Sequence, residues 1–177
     1  MDRRTLTTAP SSPIDTPKQF AIKSFFMYVT TVILLLLILP GICVGAQAVH
    51  SGLTLLLVGR WVCFWAVGVR LFIAGIRQVA QPTFTAKAIF GLEDDGALAI
   101  VRELGFANLS MGLGGLCVLA RPGWLVAASL VGGLYYGLAG VGHIFAKHRN
   151  AKENLAMYSD IWVFLVLAVF VARNLGR

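Results

Sequence analysis

The chain has 177 residues, 58% of them hydrophobic and 13% charged, with 19 glycines and a mean hydropathy of +0.79. That balance lies outside the range of soluble domains and is expected of an integral membrane protein. It excludes a soluble enzyme domain, a disulfide-stapled secreted module (three cysteines, an odd number) and, despite a net charge of +7, a nucleic-acid binder.

A helix needs about 20 apolar residues, at roughly 1.5 Å each, to cross a hydrocarbon core of ~30 Å. Five stretches meet this: 25–46, 61–79, 98–120, 124–146 and 155–172. The third and fourth are separated by Arg121-Pro122-Gly123, where proline cannot continue a helix, so they form a helical hairpin. The fifth has an uninterrupted apolar part only from Ile161 to Ala172, and a full span takes Asp160 into the membrane. The fold class expected is therefore an all-α polytopic transmembrane bundle. Residues 1–24, rich in Thr, Ser and Pro, form a disordered cytoplasmic tail, and 25–177 form one domain with helices two to five as its core. Ala46-Gln47-Ala48 after Pro40-Gly41 resembles a signal-peptidase site, and cleavage there would leave four spans; the long n-region and long apolar run argue against it.

Short loops rich in lysine and arginine stay on the cytoplasmic side. The tail (Arg3, Arg4, Lys18, Lys23), the second connection (Arg77, Lys87, Arg102) and the fourth (Lys147, Arg149, Lys152) share one side, against Arg121, Arg173 and Arg177 on the other. This orientation puts the N-terminus in the cytoplasm, in the inner (plasma) membrane. The connection from Ala80 to Ala97 is apolar around one lysine and suits an interfacial segment. Glu93-Asp94-Asp95-Gly96 then caps the third helix. Lys147, His148, Arg149 and Lys152 face anionic headgroups.

In lipid, helices associate through small residues and interhelical hydrogen bonds. On the third helix Gly105, Asn108, Gly112 and Gly115 form one stripe and Glu103, Ala107, Ser110 and Gly114 another, which makes this helix a candidate for the centre of the bundle. On the fourth, Gly133, Gly137 and Gly140 form a GxxxG-like step. Such spacing serves tight packing within the chain more often than contact with a second copy, and it is the surface through which a homo-oligomer would form.

Charged residues within spans are functional hypotheses by default. Counted inward from the cytoplasmic ends, Glu103, His143 and Asp160 lie roughly 5 to 8 Å deep, with Arg77 at a similar or shallower level. Arg70, Asn108 and Tyr136 lie roughly 13 to 15 Å deep. Seven-residue spacing puts Arg70 above Arg77 and Tyr136 above His143, so these seven residues line a polar cleft open to the cytoplasm. The pairings expected are Arg70 or Arg77 with Glu103, and His143 with Asp160 or Glu103, since an unpaired charge would draw in water or neutralise. The same groups serve equally as buried pairs that fix helix register. No nucleophile elbow surrounds Ser110 or Ser129, no HExxH or comparable spacing supports a metal at Glu103, His143 and Asp160, and Cys43, Cys63 and Cys117 form no CxxC. No cofactor is expected.

Several ordered motifs are familiar: Arg60-Trp61, Gly68-Val69-Arg70-Leu71-Phe72, Arg77-Gln78 with Gln81-Pro82-Thr83-Phe84-Thr85, Arg102 through Leu109, Gly132 through Gly140 with His143, and Glu153-Asn154 with Ser159-Asp160. Over roughly Gly59 to Ala172 they resemble an uncharacterised family of small multi-pass bacterial membrane proteins, a domain of unknown function. The resemblance places both polar layers in the family's signature segments and leaves the first helix and tail outside it. It implies no activity. The leading functional expectation is binding or transport of a small solute or ion through the cleft. An accessory or scaffold subunit with structural charges comes next, and a membrane-embedded enzyme on a lipid-like substrate, with Glu103 or His143 in acid–base roles, comes third.

Overall fold

The computed structural model describes residues 17–89, 91–146 and 151–175, and among these there are helices and turns but no strand. In chain order the helices are α1 (Pro17–Ile33), α2 (Leu39–Ser51), α3 (Leu55–Val62), α4 (Leu71–Ala80), α5 (Ala97–Cys117), α6 (Leu125–Phe145) and α7 (Ala151–Asn174). Wide π-helical turns at Leu34–Ile38 and Cys63–Arg70 join α1 to α2 and α3 to α4, giving a first and a second continuous rod. The first of these turns has a cause in the sequence. Pro40 has no N–H to donate, and its ring collides with a carbonyl one turn back. The helix widens just before it, and the Leu39 N–H reaches back to Leu34 O.

The elements outrun the sequence boundaries where a terminus has its own chemistry. The first rod begins at Pro17 rather than Phe25, proline being well suited to a first helical turn, so part of the expected tail is helical. It runs on to Ser51, and Gly52 ends it with φ +75°. Thr54 then starts the second rod earlier than the expected Trp61, its hydroxyl accepting from Leu57 N at 3.2 Å. Ala46-Gln47-Ala48 is helical, and Gln47 Oε1 accepts from Trp61 Nε1 at 3.0 Å, which ties the two rods together. Before α5, Asp94 Oδ1 accepts from Gly96 N at 2.9 Å, and Lys87 and Glu93 pair at 3.5 Å. Pro122–Trp124 forms the tight turn between α5 and α6. The expectations for residues 1–16 and for Lys147, His148 and Arg149 lie outside the described residues.

Among the described residues four helices are long and apolar enough to cross a membrane: Phe25–Ser51, Leu55–Ala80, Pro122–Phe145 and Ala151–Asn174. Five were expected. α5, at 21 residues, has the length, but it carries Arg102, Glu103 and Asn108 and is not among the four. It nevertheless runs antiparallel along the second rod, with Gly115 against Gly68, Gly112 against Phe72 and Gly105 against Val79.

The second rod, not α5, is the centre of the bundle. Cys63, Ala66 and Val67 are fully enclosed, and the core gathers Val32 and Leu36 of the first rod, Val118 from the end of α5, Tyr136 of α6, and Val163, Leu167 and Phe170 of α7 around them. Only one small-residue stripe of α5 is used for packing. Glu103, Ala107 and Ser110 on the other stripe are exposed. The step Gly133, Gly137, Gly140 on α6 is covered within the chain by Leu167, Phe164 and Ile161 of α7, so it is not a free surface for a second copy.

Candidate functional site

Three glycine-made approaches bring the polar groups together. A side chain at Gly132 would collide with Val67, so α6 can lie against the second rod only because that side chain is missing. Tyr136, one turn on, then reaches the backbone of the π-helical turn, and its hydroxyl donates to Ala66 O at 2.6 Å. Gly140 does the same for α7: a Cβ there would stand 2.9 Å from Ile161 Cγ1 and 3.6 Å from Asp160 Cβ. Asp160 is thereby carried to the second rod, where Arg70 Nη1 donates to its Oδ1 at 3.0 Å. The Arg70 guanidinium also lies over the Tyr136 ring, 5.2 Å from its centroid. Gly75 and Gly105 bring α4 and α5 into contact, and there Asn108 Nδ2 donates to Gln78 Oε1 at 2.7 Å.

These groups line a cavity of about 560 Å³ enclosed by α1, the second rod, α5, α6 and α7. The volume is in the ~300–1,000 Å³ range of small-molecule sites. Arg70, Asn108, Tyr136 and Asp160 lie in its deep part. Arg77, His143, Lys152 and Phe84 stand at the end that carries the connections between α4 and α5 and between α6 and α7. Arg77 is stacked over Phe84 at 4.1 Å. Asn108 is 2% exposed, and its Oδ1 has no hydrogen-bond partner among the described residues.

Of the seven residues expected in the cleft, Arg70, Arg77, Asn108, Tyr136, His143 and Asp160 line this cavity. Glu103 does not: it is exposed on the outer stripe of α5. The pairing of Arg70 with Glu103 is therefore replaced by Arg70 with Asp160, because Gly105 and Asn108 turn toward the second rod and Glu103 is rotated away. His143 and Asp160 line the same cavity. Among the described residues no three His, Cys, Asp or Glu side chains are grouped as a metal site would need.

Sequence reasoning missed the wall formed by the first rod. Met27, Tyr28, Thr31, Val32 and Leu35 all face the cavity, and Tyr28 and Arg70 are close enough for their side chains to interact. The signal available was Tyr28 with Thr30 and Thr31, polar groups near the start of a long apolar run. Tyr135 was also passed over, although it lies in the same cavity next to Asn108.

The profile of a family of unknown function, DUF6790, matches residues 24–175. No curated protein and no solved structure matches the chain. The match takes in the first rod, which the sequence resemblance had left outside, and the rod's place in the cavity wall gives a physical reason for its inclusion. The chain belongs to the DUF6790 family of unknown function.

Proposed function

We propose that this protein is a multi-pass integral protein of the inner (plasma) membrane, with its N-terminus in the cytoplasm, that binds a small solute or ion inside the bundle and transports it. One observation carries this reading: a cavity of about 560 Å³ that holds a charged pair, Arg70 and Asp160, together with Tyr136, on helices apolar enough to lie in lipid, with Asn108 of α5 beside them. The outer faces support the membrane setting. Leu37, Ile42, Leu56, Ile73, Leu134 and Leu165, spread over the first rod, the second rod, α6 and α7, are all exposed, as side chains facing lipid would be. The excess of lysine and arginine in the connections beside Arg77 and Lys152 supports a cytoplasmic mouth.

Native mass spectrometry of the detergent-solubilised protein, with stepped collision energy, tests the reading. A small molecule retained by the wild type and by Glu103→Gln, and lost from Ala139→Trp, which fills the cavity from α6, is the expected result. The Arg70–Asp160 contact also favours a second reading, a scaffold subunit whose ion pair fixes the register of α7 on the second rod. That reading takes over if the wild type carries and accepts no small molecule and Ala139→Trp behaves as the wild type does.

A further inference from the structure

The lining of the cavity is divided in a way that selects a ligand class. Arg70 is matched by Asp160, the one carboxylate among the described residues of the wall, while Arg77 stands at the mouth. Among the described residues no carboxylate lies within 4.0 Å of Arg77. Its guanidinium is held against Phe84, which covers a face and leaves the N–H donors of the edge for a partner. A guanidinium fixed in this way suits the paired oxygens of a carboxylate or a phosphate.

The remaining wall is apolar, and so is part of its rim. Met27 of α1, Ile73 of α4 and Leu138 of α6 line the cavity while being 61%, 50% and 73% exposed. In a membrane these rim residues face hydrocarbon, so the cavity opens sideways to lipid between the first rod and the rest of the bundle as well as at its charged end. Leu71 and Leu104 continue the apolar surface inward. A small hydrophilic solute would leave this portion unmatched, and a wholly apolar one would leave Arg77 unmatched.

We propose that the cavity takes a single-chain amphiphile with an anionic headgroup, a carboxylate or a phosphate monoester, its headgroup at Arg77 and its chain along Met27, Ile73, Leu104 and Leu138. This rests on the ligand-binding reading above and narrows it.

The test uses the full chain in nanodiscs of neutral phosphatidylcholine, with tritiated hexadecanoate as the probe. Saturable one-to-one binding is expected, displaced by unlabelled hexadecanoate and by hexadecyl phosphate but not by hexadecanol or inorganic phosphate. Arg77→Gln lies on an exposed position and is expected to leave the fold intact, with at most a small loss of thermal stability from the Phe84 contact, while weakening binding about tenfold or more. Arg77→Lys is expected to recover part of the loss, and Ala139→Trp to abolish the saturable component. Equal competition by hexadecanol would overturn the assignment of the headgroup, equal competition by inorganic phosphate would overturn that of the chain, and no saturable binding would overturn both. If a different small molecule is still retained in the mass spectrometer and lost from Ala139→Trp, only the ligand class fails. If none is retained, the binding reading fails with it.

Discussion

Arg70 and Asp160 meet at 3.0 Å with side chains only 16% and 8% exposed, so both charges have given up most of their water for each other. Removing one partner strands the other, and losses of about 3–5 kcal/mol are typical of that change. Asp160→Asn is expected to destabilise the protein by that order, read from thermal melts or unfolding titrations in mixed detergent. The paired change Arg70→Met with Asp160→Leu is expected to recover most of the loss, because an apolar contact of similar volume needs no desolvation of charge. A double variant as unstable as the single one would show that the pair itself holds the bundle together. Tyr136→Phe removes the bond to Ala66 O and is expected to cost about 1 kcal/mol in the same assay, with the ring still under Arg70. The members of this cluster were legible because each is a polar residue in an apolar window. Their partners were not. Glu103 and Asn108 are five residues apart and so project from well-separated faces of α5, and both faces carry small residues. Which one turns inward is decided by the fit of Gly112 against Phe72 and of Gly115 against Gly68, a matter of shape that composition does not record.

That fit is testable at the level of the helix pair. On α5 a Cβ at Gly115 would run into the backbone of Gly68, and one at Gly112 would stand 2.5 Å from Phe72 N, whereas Gly114 has nothing within 4 Å. Gly115→Ala must therefore push α5 off the second rod, with a loss on the order of 1–3 kcal/mol from overpacking. Gly114→Ala meets open space and replaces a poor helix former, so it is expected to be neutral or stabilising by up to about 1 kcal/mol. Melting both variants beside the wild type checks the contrast, and equal losses would mean that α5 packs in another register. The helices themselves were readable from apolar runs and from Pro122, and their ends less so. Thr54 extends the second rod past the expected start by capping it, and Pro17 lengthens the first, because end chemistry lies outside the apolar window that defines a span. The π-helical turns within the two rods were not foreseen. The first follows from Pro40, a signal present in the sequence; for the second, Cys63–Arg70, the nearest physical correlate is the Tyr136 hydroxyl that satisfies the Ala66 carbonyl within it.

For the molecule as a whole, α5 decides the topology. Its composition falls short of a span, and its glycine contacts with the second rod run from Gly68, midway along that rod, to Val79 near its end. The loop around Asp94 leads into α5 at the end nearer Val79, and the turn at Pro122–Trp124 follows its other end. Polar residues on a helix of this length are tolerable where protein covers them, and Asn108 is covered by Gln78, whereas Arg102 and Glu103 sit within the first turns, near the end where charges can reach headgroups. If α5 crosses as well, the proposed orientation has five crossings, with Asp94 in the cytoplasm and both Arg121 and Asn174 outside. Single cysteines placed at these three positions, in a chain whose own Cys43, Cys63 and Cys117 are replaced by alanine, can be labelled with a membrane-impermeant maleimide in vesicles of known sidedness. Right-side-out vesicles are expected to label Arg121→Cys and Asn174→Cys, and inside-out vesicles Asp94→Cys. If α5 instead lay along one surface, Arg121→Cys would label from the same side as Asp94→Cys and Asn174→Cys would change sides with it. That outcome would turn the wall carrying Asn108 out of the hydrocarbon and remove the cavity on which the ligand-binding reading depends.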